Sequence, residues 1–244
     1  MADMTGQVAL VTGGVRGIGR AIGDCLAAQG ATVAAGYSRG KDAADKFLAD
    51  HPGSSVHQGN IGDREDCERV IREVLDAHGR LDILVNNAGI TVDRTVRKMS
   101  PDDWDRVIQV NLSGAFYLIR AVLQHMLDRG SGRIINISSI IGESGNIGQA
   151  NYAAAKAGLF GLTMSLAQET ARKGITVNSV APGYVATEMV AAVPKEALDK
   201  VIAKIPVGRL GEADEIARVV AFLADADSGF ITGQIFSVNG GQYM

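Results

Sequence analysis

Cysteine, proline and histidine are all scarce: 244 residues contain two, five and four of them. Cys25 and Cys67 stand alone within helical patterns, which excludes a disulfide framework or a zinc site and fits a reduced cytoplasm. His51, His57, His78 and His125 show no ligand spacing and read as scattered surface residues, so no metal site is expected. The longest apolar runs are strand-sized, far short of the roughly 20 residues that span a bilayer, and no membrane association is expected. Met1 to Gly6 show no cationic segment followed by an apolar stretch, so a secretory leader is not expected. Basic charge is not in excess either. With 27 acidic against 24 basic residues the net charge is −3, and nothing global draws the chain to nucleic acid. No fixed-period repeat or low-complexity segment is present.

Apolar residues and glycine are plentiful. Hydrophobic residues make up 46% and charged residues 21%, near globular averages, which leaves enough apolar surface for a buried sheet. A single wound sheet commonly reaches this length, so residues 1–244 are expected to form one domain. The 30 glycines mark places where backbone turns sharply or approaches something closely.

Short β-rich runs recur along the chain: Val8 to Val11, Thr32 to Ala35, Ser55 to His57, Ile83 to Val85, Ile134 to Ile137, Thr176 to Val180 and Ile235 to Val238. Between them lie amphipathic stretches at about 17–29, 41–50, 63–78, 101–128, 151–173 and 212–224, each long enough for a crossover helix. The alternation implies a parallel sheet of about seven strands with helices on both faces, a doubly wound Rossmann-type α/β fold. Its ligand crevice lies beyond the carboxyl ends of the strands. The stretch at about 181–211, with Pro182, Pro194 and Pro206, reads as irregular, and about 184–211 as a substrate lid.

After the first strand, Thr12-Gly13-Gly14-Val15-Arg16-Gly17-Ile18-Gly19 leads into a helix. Residues without Cβ let a pyrophosphate approach the helix's free N–H groups and its positive dipole end, so a dinucleotide is the natural occupant. The spacing is G-x-x-x-G-x-G instead of the commoner G-x-G-x-x-G. At the end of the second strand, Ala35-Gly36-Tyr37-Ser38-Arg39-Gly40 contains no acid to hold both ribose hydroxyls. Arg39, Ser38 and Arg16 can donate to a 2′-phosphate, which favours NADP (NADPH) over NAD. The alternative is that both arginines are plain solvated charge.

Tyr152 and Lys156 are i and i+4 on one helix, so the ammonium can sit near the phenol and lower its pKa from about 10 toward the range useful for proton exchange. Ser139 can donate to a substrate carbonyl oxygen as negative charge develops there. Taken singly, these residues have easy structural readings, as a helix residue, a solvated charge and a strand-end cap. In combination with Asn86-Asn87-Ala88-Gly89, Asn111, the Thr12 to Gly19 loop, Pro182-Gly183 and the Val238-Asn239-Gly240-Gly241 ending, they make the chain resemble the short-chain dehydrogenase/reductase family over essentially its whole length.

The resemblance implies a catalytic tetrad of Asn111, Ser139, Tyr152 and Lys156. The interval of thirteen residues to Tyr152 selects Ser139 over its neighbour Ser138. Lys156 would also bond the nicotinamide ribose, and Asn111 would hold a water connecting Lys156 to solvent. Asn60 and Ile61 would meet adenine, Asn87, Ala88 and Gly89 the nicotinamide side, and Val185, after Pro182-Gly183, the carboxamide.

Within the family the chain is most similar to reductases of 3-oxoacyl thioesters, linked to acyl-carrier protein or to coenzyme A, with a lean toward acetoacetyl-CoA. By that resemblance Asp93, Asn146, Ile147, Gly148, Gln149, Gly183 and Tyr184 would contact the acyl thioester alongside Ser139 and Tyr152. Arg129, Arg172 and Lys173 could serve an acidic carrier or simply complement helix dipoles. A cofactor-binding scaffold without turnover is the alternative of another class. Relatives are mostly homotetramers that pair the helices near 101–128 and 151–173 and a C-terminal surface. Periodicity does not say whether Leu159, Leu162, Thr163 and Leu166 face the core or a partner.

Overall fold

The structure is a computed structural model that describes residues 3–191 and 195–244. Seven strands form one parallel sheet: β1 (Val8–Thr12), β2 (Thr32–Tyr37), β3 (Ser55–Gln58), β4 (Ile83–Asn86), β5 (Gly132–Ile137), β6 (Ile175–Pro182) and β7 (Ile235–Val238). Their order across the sheet is β3-β2-β1-β4-β5-β6-β7. Every residue of β1, β4 and β6 is buried, as strands covered on both faces should be, including the polar Asn86, Asn178 and Ser179. Strand order reverses between β1 and β4, and the crevice opens beyond their carboxyl ends.

Ten α-helices are described: α1 (Gly17–Ala27), α2 (Lys41–Asp50), α3 (Arg64–His78), α4 (Pro101–Ile108), α5 (Gly114–Arg129), α6 (Ile140–Ser144), α7 (Ala150–Thr170), α8 (Glu188–Ala191), α9 (Lys195–Ile202) and α10 (Ala213–Ala224). Side-chain alternation along the strands divides the core in two. Ala9, Val11, Ile83, Val85, Ile135 and Ile137 pack against Ile22 and Leu26 of α1 and Ile216 and Val220 of α10. Leu10, Leu84, Ile134 and Val177 pack against Val70 and Val74 of α3, Leu118 and Val122 of α5 and Leu166 of α7.

The structure departs from the sequence expectations in four places. The stretch at about 181–211 is not wholly irregular among the described residues: β6 runs to Pro182, α8 and α9 follow, and a parallel bridge joins Val185 to Gly211. Helices of four and eight residues are too short for a periodic signal, and Pro194 lies outside the described residues. The helix expected at 101–128 is α4 and α5 joined by a π-helical turn, Gln109–Ser113. By length and composition alone Pro101–Arg129 could cross a membrane, yet its Leu118, Ile119, Val122 and Met126 are buried against the sheet. The fourth departure concerns histidine. His57 is buried, and its Nε2 and that of His78 share the Ser55 hydroxyl at 2.8 and 2.7 Å. Of the residues periodicity left open, Leu159, Thr163 and Leu166 face inward and Leu162 is half-buried.

Candidate active site

The glycine loop is held by residues far away in sequence. Thr12 Oγ1 accepts hydrogen bonds from the Asn87 and Ala88 main-chain N–H groups, both at 2.9 Å, and Asn87 Nδ2 donates back to the Thr12 carbonyl at 2.8 Å. This latch ties the end of β1 to the loop after β4. Gly13 and Gly17 adopt left-handed φ of 63° and 53°, which a side chain would strain. No side chain caps the first turn of α1, and no acidic residue stands in it, so its N–H groups and dipole are open to an anion. The loop therefore fits a dinucleotide pyrophosphate.

A crevice of about 940 Å³ runs from this loop across the ends of the strands. Of the residues expected to hold a dinucleotide, Gly13, Val15 to Gly19, Ser38, Arg39, Asn60, Ile61, Asn87, Ala88, Gly89, Tyr152, Lys156, Pro182, Gly183 and Val185 line it. Gly14 and Gly36 do not. A Cβ on Gly14 would stand 2.6 Å from the Val11 carbonyl oxygen and 3.0 Å from Ala35 Cβ, so Gly14 serves the close approach of β1 and β2, whereas one on Gly36 would meet Thr12 only at 3.4 Å. Asn60 is used partly by its own turn: its N–H donates to Asp66 at 2.8 Å and its Oδ1 accepts from Gly62 at 3.1 Å. Its amide NH2 has no partner among the described residues.

Ser139, Tyr152 and Lys156 meet at one end of the crevice. Ser139 is the N-cap of α6, where its Oγ accepts from the Ile141 N–H at 3.1 Å. That bond uses a lone pair and leaves the hydroxyl hydrogen for another acceptor. Tyr152 lines the crevice with Ser139, whose hydroxyl favours the ionised form of the phenol. Lys156 is buried, its Nζ donates to the Ile137 carbonyl at 2.7 Å, and it lies 5.6 Å from the centroid of the Tyr152 ring. Ser138 also borders the crevice, but its hydroxyl is committed to the Lys156 carbonyl at 2.8 Å.

Proton affinities in the chain alone run against the expectation of an acidified phenol. Burial pushes Tyr152 up to about 12, opposed by the Ser139 hydrogen bond and reinforced by the Asp93 carboxylate. Burial also pulls Lys156 down to about 8, so the ammonium is easily discharged, and its Nζ lies over the Tyr152 ring. The arrangement keeps Tyr152 protonated, the form a proton donor needs.

Asn111 lies in the π turn, a feature frequent at functional sites. Its side chain donates to the Ile90 and Val107 carbonyls, both at 2.9 Å, and accepts from the Ile90 N–H at 3.2 Å. Gly89 makes this possible, since a Cβ there would stand 2.5 Å from Asn111 Oδ1 and 3.6 Å from Lys156 Nζ.

The expected substrate residues are mostly on the rim. Asp93, Asn146, Ile147, Gly148, Gln149 and Tyr184 lie outside the crevice lining, whereas Gly183 is part of it. Gln149 Nε2 donates to both Asp93 oxygens at 3.2 Å, Asn146 to Gln149 at 2.8 Å, and the Arg94 N–H to the Gly148 carbonyl at 2.8 Å. Arg129, Arg172 and Lys173 sit just before β5 and β6, at the ends of the strands opposite the crevice, and Arg129 lies 3.4 Å from Asp82. Within one chain they are not a patch beside the crevice mouth. Arg106, Gln109 and Val110 line the crevice without having been marked by any motif. Gln109, for example, reaches it because its Nε2 donates to the Gly62 carbonyl at 3.0 Å, a contact between distant segments. Among the described residues no group of three or more His, Cys, Asp or Glu could hold a metal ion.

A glycine loop on an uncapped helix, joined by one crevice to a serine, a tyrosine and a lysine, places the chain in a known class. It belongs to the short-chain dehydrogenase/reductase family, residues 5–242 matching the family described as enoyl-(acyl carrier protein) reductase, and is an oxidoreductase acting on a ketone/alcohol pair. The acetoacetyl-CoA reductase of Shinella zoogloeoides is 54% identical over 98% of this chain and 99% of its own length. That of Cupriavidus necator is 47% identical over 99% of this chain and 100% of its own. The 3-oxoacyl-(acyl-carrier-protein) reductase of Haemophilus influenzae is 46% identical over the same shares.

Proposed function

We propose that the chain reduces a 3-oxoacyl thioester to the 3-hydroxyacyl thioester with NADPH, and that acetoacetyl-CoA is its preferred substrate. The observation that carries this reading is the meeting of Ser139, Tyr152 and Lys156 at the end of the crevice that begins at the glycine loop. Relatives named acetoacetyl-CoA reductase, at 47% to 54% identity, support the substrate. A bound nicotinamide supplies the hydride. Ser139 directs its free hydroxyl hydrogen at the ketone oxygen and stabilises the charge forming there. Tyr152 delivers its phenolic proton to that oxygen. Lys156, anchored on Ile137, faces the ring of Tyr152 and stabilises the phenolate left behind.

Three further assignments belong to the same reading. Residues 1–244 act as one domain, with 184–211 as the lid over the substrate. The protein works in a reducing cytoplasm, where Cys25 and Cys67 stay free thiols. It assembles as a homotetramer through α4, α5 and α7, which leave the large apolar side chains of Trp104, Phe116 and Met164 exposed in the single chain.

The deciding experiment follows NADPH oxidation with acetoacetyl-CoA and with the matching carrier-linked thioester. Higher kcat/KM on the CoA ester is expected. Higher kcat/KM on the carrier ester would transfer the assignment to that substrate, and no oxidation with either would leave a nucleotide-binding scaffold. Ser38, Arg39 and Arg16 line the crevice where β2 ends without a carboxylate, which supports NADPH. Arg39→Ala is expected to raise KM for NADPH by about 10-fold or more, the worth of one charge-assisted hydrogen bond, and that for NADH hardly at all. Equal losses would remove Arg39 from phosphate recognition.

A further inference from the structure

The buried face of α7 carries Ala155, Leu159, Leu166 and Ala167 but also Asn151, Lys156, Thr163 and Thr170, so apolar burial gives only a coarse preference for rotation and leaves the fine setting open. Polar pins supply it. Near the reacting groups these are Asn151 Nδ2 to the Val92 and Asp103 carbonyls at 3.2 Å, Ser138 to the Lys156 carbonyl and Lys156 to the Ile137 carbonyl. The other pin lies outside the crevice. Thr163 Oγ1, fully buried, accepts from Asn136 Nδ2 at 2.9 Å and shares a second hydrogen bond with Ser179 Oγ at 2.9 Å.

Those partners belong to one row across the sheet. Asn86 is the register partner of Asn136, and Asn136 of Ser179. Asn86 Nδ2 donates to Asn136 Oδ1 at 2.9 Å, and all three side chains are buried. A polar row through the dry middle of a sheet contributes little net stability over apolar packing, but it is directional where dispersion is not. Thr163 stands eleven residues beyond Tyr152 and seven beyond Lys156. At about 100° per residue, both steps fall within about 20° of whole turns, so the three side chains project along one line of the helix.

We propose that Thr163 is a positioning residue: docked on the Asn86, Asn136 and Ser179 row, it sets the rotation and height of α7 and so places Tyr152 and Lys156 against Ser139. The inference rests on the roles proposed above for those three residues, and Thr163 itself touches neither substrate nor cofactor. Side chains reach about 5–6 Å from a helix axis, so a rotation of about 10° moves their outer atoms by about 1 Å. A displacement of that size at reacting groups can cost about 100-fold in rate.

The test compares Thr163→Val, which keeps the shape and removes the hydroxyl, with Thr163→Ser, which restores it, in the full chain assayed with NADPH and acetoacetyl-CoA. In Thr163→Val, kcat is expected to fall about tenfold or more while KM for NADPH stays within about twofold, and the alkaline limb of the kcat–pH profile should move. Thr163→Ser should recover kcat to within about threefold of wild type. Wild-type kcat with an unmoved limb in folded Thr163→Val overturns the proposal, as does a Thr163→Ser enzyme no faster than Thr163→Val. Should Thr163→Val not fold, Ser179→Ala removes one bond and keeps the other; a kcat loss of about threefold or more at unchanged nucleotide KM supports positioning, and wild-type kcat overturns it. A wild-type enzyme inactive on acetoacetyl-CoA would strike the substrate assignment alone. Positioning is then read by ultraviolet titration of the Tyr152 phenol against a Tyr152→Phe blank in each background. A shifted midpoint in Thr163→Val supports it, and an identical one overturns it.

Discussion

Tyr152→Phe is expected to lower kcat for ketone reduction by about 10³-fold while nucleotide binding stays within about twofold of wild type. The substitution removes one oxygen and leaves untouched the glycine loop, the Thr12 and Asn87 latch and the Lys156 anchor on Ile137. Its pH signature follows from the direction of the shift. Burial raises Tyr152 to about 12, so the proton-bearing form competent to reduce a ketone persists through neutrality and is lost only as pH rises through that value. Wild-type reduction should therefore decline on the alkaline side, and the residual rate of Tyr152→Phe should lack that limb. Steady-state kinetics and nucleotide fluorescence titration read the two effects separately. Turnover near the wild-type rate would remove Tyr152 from proton delivery.

Gly19→Ala is expected to do the reverse, damaging the nucleotide end while the proton-delivering end remains assembled. The new Cβ would stand 2.5 Å from Asn87 Nδ2 and 2.8 Å from the Gly13 carbonyl carbon, closer than real contacts allow. Much of the obstacle is main chain, so the loop must move, at about 1–3 kcal/mol for overpacking. A displaced loop no longer presents its N–H groups to the pyrophosphate, and nucleotide Kd should rise about 10- to 100-fold. Gly161→Ala is the control. It lies on α7 away from the glycine loop, with nothing within 4 Å of its would-be Cβ in the single chain, and alanine there should leave nucleotide affinity unchanged. Wild-type Tm and Kd in Gly19→Ala would show that the loop tolerates a side chain.

Much of this molecule was legible in its sequence. All seven strands lie where β-rich runs alternate with helical periods, because burial between two layers of helices favours β-branched and aliphatic residues at most strand positions. The loop from Thr12 to Gly19 announced its role through residues that must lack Cβ. α6, α8 and α9 escaped notice because helices of five, four and eight residues carry too few turns for a period. The latch on Thr12 escaped for another reason: its hydrogen bonds span 75 residues to Asn87 and 76 to Ala88, and no local pattern marks them. Asp93, Asn146 and Gln149 were assigned to substrate by resemblance; that they bond one another and lie outside the crevice lining could not be read from the sequence, because the bond from Gln149 to Asp93 joins segments 56 residues apart.

Spacing within one element needs no tertiary information. The period of an α-helix puts Tyr152 and Lys156 on one face wherever that helix lies, and the period of a strand sorts the core residues between two layers. Proton affinity and rotational setting are different in kind. Tyr152 is raised and Lys156 lowered because packing strips both of water, and the buried face of α7, part apolar and part polar, is tied to β5 and β6 through the hydrogen bonds of Thr163. Desolvation and long-range hydrogen bonding come into being only when the elements are assembled, and so they were decided by the tertiary structure alone.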